Sequence, residues 1–170
     1  MPAHTTSRQR SNELGASAGD GDVVTLVRVP ARWPNVRPIA NHVEFCVTAL
    51  TYEERGKRAG VVVHELTENA VKYGDLSANI EVEVRMPPSG MRFTIRVSNR
   101  ASVTRFQSLR EEVERIGRLT PEQAFMDAIR RAGGRPSGNS MIGLSRIAHE
   151  GGVALSADEL QGLITVVARG

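Results

Sequence analysis

The chain has 170 residues, 40% hydrophobic and 24% charged, which fits one soluble globular domain and excludes a wholly disordered chain. Its net charge of +3 rests on arginine, with Lys57 and Lys72 the only lysines among 22 basic residues; with aromatics at 4%, too few for base-stacking platforms, this argues against nucleic acid as a partner. No apolar run approaches the roughly 20 residues that a membrane helix needs, so no membrane role is expected.

Residues 1–22 are rich in Ser, Gly and Ala and read as a disordered tail, leaving residues 23–170 as the folded domain. The tail lacks the apolar centre of a signal peptide, and a cytoplasmic setting is the expectation. Val23–Val29 is β-branched and reads as a strand. After Pro30 and Pro34 a helix is predicted from about Val36 to Leu50, with Ile39, Val43, Cys46, Val47 and Leu50 on one face. Cys46, the lone cysteine, excludes an intramolecular disulfide and any cysteine-cluster metal site, and reads as a buried structural thiol. Thr51 and Glu54 fit a capping box for the next helix, which runs to Tyr73 and stops at Gly74.

Two alternating segments follow, Asn79–Met86 and Met91–Ser98, joined by the turn Pro87-Pro88-Ser89-Gly90. Phe106, Leu109, Val113 and Ile116 then recur at helical intervals up to Gly117. A further helix opens on Thr120, Pro121 and Gln123, a second capping box, and ends at Gly133. A polar loop leads to a short helix around Ile142–His149. Val153–Ser156 and Leu163–Ala168 read as a closing hairpin around Asp158–Gly162. Strands bunched into hairpins predict an α+β fold, a two-layer sandwich, and not a doubly wound parallel sheet. Neither lysine stands in a P-loop.

The helix before Gly74 carries the most chemistry. At 100° per residue, Ala59, Val62, Val63, Leu66, Ala70 and Tyr73 share an apolar face, and Glu65, Asn69 and Lys72 form a polar stripe along its edge. Such a stripe is open to two readings. It is a solvated helix edge, or it lines a nucleotide cleft, where an amide oxygen holds Mg²⁺, a carboxylate one turn away accepts a proton and a lysine meets phosphate.

The stretch HELTENAVKYG, residues 64–74, resembles the N box of the GHKL (histidine-kinase-like) ATPase superfamily through Glu65, Asn69, Ala70, Lys72 and Tyr73. The element order over residues 23–168 is also similar. The resemblance implies a Bergerat-type fold, Asn69 as ligand to Mg²⁺, Glu65 as general base, and ATP as the bound nucleotide. The chain lacks the dimerisation helix pair of a sensor histidine kinase and looks closer to the small anti-sigma-factor serine kinases.

Two further boxes depart from that pattern. Where the superfamily has an adenine-binding Asp and a Gly-x-Gly, the stretch IRVSNRAS has Ser98 and Asn99, with Arg100 and Ser102 in place of glycines. Ser98 or Asn99 would then face adenine. GNSMIGLSRI resembles the Gly-rich lid box, with Gly143 and Leu144 matching and Met141 replacing a glycine. Ser140 is either an ordinary N-cap or part of a phosphate-binding helix start. A glycine-poor, helical lid after the strand is similar to the SiaB-like proteins, kinases that act on a STAS-domain (anti-sigma antagonist) partner.

These residues leave two functions open. One is a bacterial regulatory protein that binds Mg-ATP and phosphorylates a Ser or Thr hydroxyl on a STAS-type partner, with Glu65 catalytic and with Asn69, Lys72, Ser98, Asn99, Ser140, Met141, Gly143 and Leu144 at the nucleotide. The other is a degenerate module that regulates its partner by contact alone. Both allow a homodimer.

Overall fold

Alternation along the chain becomes a single sheet whose second and third strands bury every second residue against the helices. The computed structural model describes residues 21–133 and 142–170. The tail expected over residues 1–22 lies outside them except for its last two residues, and Asp22 already belongs to the first strand. The described elements are β1 (Asp22–Pro30), α1 (Trp33–Leu50), α2 (Glu53–Tyr73), β2 (Asn79–Met86), β3 (Thr94–Arg100), α3 (Val103–Gly117), α4 (Pro121–Ala132), α5 (Ile142–Glu150), β4 (Ala154–Leu160) and β5 (Leu163–Arg169). The strands form an antiparallel five-stranded sheet in the order β1-β2-β3-β5-β4. The architecture is the expected α+β two-layer sandwich.

Register fixes which side chains meet the helices. Val82 pairs with Val97, and Val97 with Val166, so all three point to one face. Ile80, Val84 and Ile95 join them in full burial, covered by Val43 and Val47 of α1 and by Val62, Val63 and Leu66 of α2. Each such side chain contributes about 1.5–3 kcal/mol on leaving water. The opposite face carries Glu81, Glu83, Arg85, Arg96 and Ser98, and Arg28 pairs with Glu81 across the first two strands. No helix among the described residues is long and apolar enough to cross a membrane.

Several boundaries differ from the sequence reading. Pro34 starts α1 early, at Trp33, because proline is pre-organised for a first turn. Leu50 is exposed and Cys46 only half-buried, so the buried face of α1 is Val36, Ile39, Ala40, Val43 and Val47. The Thr51 capping box does not form. Its hydroxyl donates to the Val47 carbonyl, closing α1, and Tyr52 takes the N-cap position of α2 without a side-chain bond. The Thr120 box does form, with both reciprocal hydrogen bonds. Strand β3 starts at Thr94, since Met91 is exposed. Strand β4 continues through Asp158 and Glu159 to a tight turn at Gln161-Gly162, where both residues have positive φ as a two-residue hairpin requires.

Helices α3, α4 and α5 are tied by one ionic network. The Glu112 carboxylate, only 9% exposed, accepts from Arg115 at 2.7 and 3.1 Å and from Arg131 at 3.0 and 3.2 Å. Asp127 accepts from the same two arginines, and Arg115 also reaches the buried Ser145 hydroxyl of α5. Burial pushes the Glu112 carboxyl up, but the hydrogen bonds and charges of Arg115 and Arg131 outweigh it and hold the group below the usual carboxylate range. Removing the acid would leave two partly buried cations facing each other. Glu112→Ala is predicted to cost about 3–5 kcal/mol in urea unfolding at neutral pH. A depressed folded-state pKa contributes stability above the ordinary carboxylate range. The difference between wild type and variant is therefore predicted to shrink as pH falls through and below that range.

Candidate functional site

The C-terminal half of α2 places its polar edge between the sheet and α5. Leu66 and Ala70 are buried, which turns Glu65 and Asn69 toward the flank of the helix. The start of α5 lies directly against them. A Cβ built on Gly143 would come 2.2 Å from Glu65 Oε2 and 3.8 Å from Asn69 Nδ2. A side chain at 143 would push the Glu65 carboxylate aside. Burial raises the Glu65 carboxyl above its ordinary range, with the Arg146 charge opposing that rise. Glu65 is 13% exposed and Arg146 lies 3.1 Å away.

Beyond Asn69 a cavity of about 40 Å³ opens between α2, α3, α5 and the inner face of the sheet. Leu66, Ala70, Leu109, Leu144, Ile164 and Val166 make most of its wall, and Asn69, Tyr73, Asn99 and Arg105 supply the polar groups. That is room for a few water molecules, and a purine would have to widen it. Asn69 Nδ2 and the Tyr73 hydroxyl are both buried without a hydrogen-bond partner among the described residues. A buried unmatched donor costs about 1–3 kcal/mol. Two on one small cavity are the arrangement expected where a ligand completes the hydrogen bonding. The Tyr73 ring is also flanked by cations, with Lys72 Nζ 5.3 Å and Arg105 5.5 Å from its centroid.

The residues singled out from the sequence divide accordingly. Glu65, Asn69, Gly143 and Leu144 come together. Lys72 stands exposed at the rim over Tyr73 and does not line the cavity. Asn99 reaches the cavity, but its amide nitrogen faces the Ala70 and Arg100 carbonyls at 3.4 and 3.3 Å, fastening the end of α2 to β3. Ser98 points to the opposite face, where its hydroxyl bonds Thr165 at 2.9 Å, so it cannot share one cleft with Asn69. Alternation in β3 makes that division necessary, since neighbours on a strand face opposite ways. Ser140 and Met141 lie outside the described residues. No group of three or more His, Cys, Asp or Glu side chains among the described residues is placed to hold a metal ion. Sequence reasoning missed Arg146 and Arg105. Arg146 is one helical turn beyond Gly143, a spacing that places both on one side of α5.

No family model matches the chain, and no curated protein matches it. Among solved structures, a chain in the crystal structure of the SiaB–SiaC complex from Pseudomonas aeruginosa is similar, with a TM-score of 0.65 and 18% identity, over 87% of this chain and 89% of that one.

Two stability tests follow from the geometry. Tyr73→Phe removes a buried hydroxyl without a partner among the described residues, so the variant is predicted to be at least as stable as wild type in thermal unfolding; a loss above about 1 kcal/mol would show that the hydroxyl is bonded. A raised carboxyl pKa means that the folded chain holds that proton more tightly than the unfolded chain does. Its contribution therefore falls as pH climbs from the ordinary carboxylate range through the folded-state value. Glu65→Gln is predicted to raise the unfolding midpoint at neutral pH, with the gain fading in acid. The likeness in fold to the Pseudomonas chain is what the comparisons establish, and with it the α+β sandwich as the frame of the site.

Proposed function

We propose that the chain is a regulatory protein of the histidine-kinase-like (Bergerat) type, and that the cleft between α2, α3 and α5 takes ATP with Mg²⁺. The observation that carries this is the pair of buried groups without a partner among the described residues, Asn69 Nδ2 and the Tyr73 hydroxyl, on one mostly apolar cavity beside a mostly buried carboxylate. Adenine suits such a wall, being flat, largely apolar and rich in hydrogen-bond acceptors. The Asn69 amide can turn either its nitrogen or its oxygen outward, since the two exchange by a half-turn of the side chain. One amide oxygen fits Mg²⁺, which takes few protein ligands and completes its shell with water and phosphate. When bound, the ion would neutralise phosphate charge.

The protein's own groups then have distinct tasks. Asn69 would hold the metal. Glu65, whose burial raises its affinity for a proton, would accept the proton of a Ser or Thr hydroxyl. The positive end of the α5 dipole lies close to both and favours phosphate there. The target hydroxyl would belong to a STAS-type partner. Supporting this are the resemblance of the chain to SiaB-like proteins and its likeness in fold to a chain from a two-protein complex.

A second reading is favoured by the adenine side of the site. Ser98 faces away, the Asn99 amide nitrogen is engaged by backbone, and the cavity is small. Those features suit a module that regulates by contact without turning over ATP. Calorimetric titration with ATP separates the two. The kinase reading predicts binding in the presence of Mg²⁺, weakened about tenfold or more by Asn69→Ala, the equivalent of one charge-assisted contact. No heat of binding from wild type at millimolar ATP leaves the contact-only reading. Gly143→Ala offers an independent check. Its Cβ would displace Glu65, while alanine regains up to about 1 kcal/mol of helix propensity. The variant is predicted to keep its thermal stability and lose nucleotide affinity.

A further inference from the structure

Arg146 is not needed by the nucleotide reading, yet it is the side chain of α5 that meets the proposed base. Its Nη1 donates to Glu65 Oε1 at 3.1 Å, and its Nε donates to Glu150 Oε2 at 2.9 Å. Arg146 is thus shared between Glu65 and Glu150, the latter one turn along the same helix. Two ionic clusters of this protein differ in kind here. Around Glu112 the arginines are 24% and 35% exposed and converge on a carboxylate that is 9% exposed. Arg146 is 46% exposed and Glu65 13%, so water screens this pair more than it does the Glu112 cluster.

We infer that Arg146 is a phosphate-responsive latch: it holds Glu65 in the ligand-free chain and passes to a phosphate oxygen when a nucleotide enters, freeing the carboxylate. This rests on the nucleotide reading above. A guanidinium presents the same donor fork to carboxylate and to phosphate, and a polyphosphate carries more negative charge than a single carboxylate. Arg146 stands one turn beyond Gly143, where the α5 backbone lies beside Glu65 and Asn69. While the pair is closed, both the positive charge and the hydrogen bond on Oε1 oppose proton uptake by Glu65. The closed pair also occupies Oε1, one of the two oxygens through which Glu65 would accept a proton.

A double-mutant cycle read by calorimetry, with ATP and Mg²⁺ as the probe, tests this. Arg146→Gln is expected to weaken ATP about tenfold, and Arg146→Lys to recover part of that loss. Glu65→Gln opens the latch, so ATP is expected to bind about three- to fivefold more tightly, the cost of opening a partly exposed pair. In the Arg146→Gln background that gain should vanish. Equal tightening by Glu65→Gln in both backgrounds would reveal simple charge removal and overturn the latch, with nucleotide binding intact. ATP affinity indifferent to Arg146→Gln would overturn it in the same way. Absence of ATP binding in both wild type and Glu65→Gln would overturn the nucleotide reading and the latch together.

Discussion

Helix α2 has to satisfy two surfaces at once. One face must be apolar enough to bury against the centre of the sheet, through Val62, Val63, Leu66 and Ala70. The flank must stay polar, because Glu65 and Asn69 project beside the core and not into it. What keeps those demands compatible is the space left by glycine at two points. Gly74 ends α2 where a Cβ would come 2.3 Å from both the Ala70 carbonyl and the Asn99 amide, and at Gly143 a side chain would push the Glu65 carboxylate aside. The φ of Gly74 is −89°, so there it is space and not conformational freedom that requires glycine.

The sheet then sorts the chemistry by face. Asn99 and Val97 look toward the helices, while Ser98 and Arg96 look away. The inner side gains a mostly apolar cavity with polar groups unmatched among the described residues, and the outer side a hydrogen-bonded, charged surface. Arginine is likewise sorted. Arg115 and Arg131 bind Glu112 and Asp127 and so fix α3 against α4 and α5. Arg146 binds an acid at the cleft and remains half in water. The same residue type is structural where it is buried and exchangeable where it is wet.

Much of this was legible in the sequence because periodicity is a property of local geometry. The apolar alternation of Ile80, Val82 and Val84 and the helical spacing of Val62, Val63 and Leu66 gave the elements and their buried faces. The Thr120-Pro121-Gln123 cap could be read directly, since it needs only residues three apart. The Thr51–Glu54 pair looked similar, but Thr51 is engaged by the helix before it, a competition that spacing does not reveal. The motif allows Ser98 or Asn99 at the cleft, and the alternation through Ile95 and Val97 puts Asn99 there and Ser98 on the other face. Where the motif leaves a choice, the pleat decides. Arg146 could not be found this way, because its partner is 81 residues distant and only the packing of α5 on α2 joins them.

Ligand binding at the inner face, as proposed, falls on Asn69, Tyr73 and Gly143. An ¹H–¹⁵N spectrum recorded during titration with Mg²⁺ and a non-hydrolysable ATP analogue tests it most directly. The account predicts that the Asn69 side-chain amide and the backbone amides of Tyr73 and Gly143 shift together and saturate, while Ser98 and Thr165 stay in place. Shifts centred on Ser98 and Thr165, with Asn69 unmoved at saturation, would contradict it.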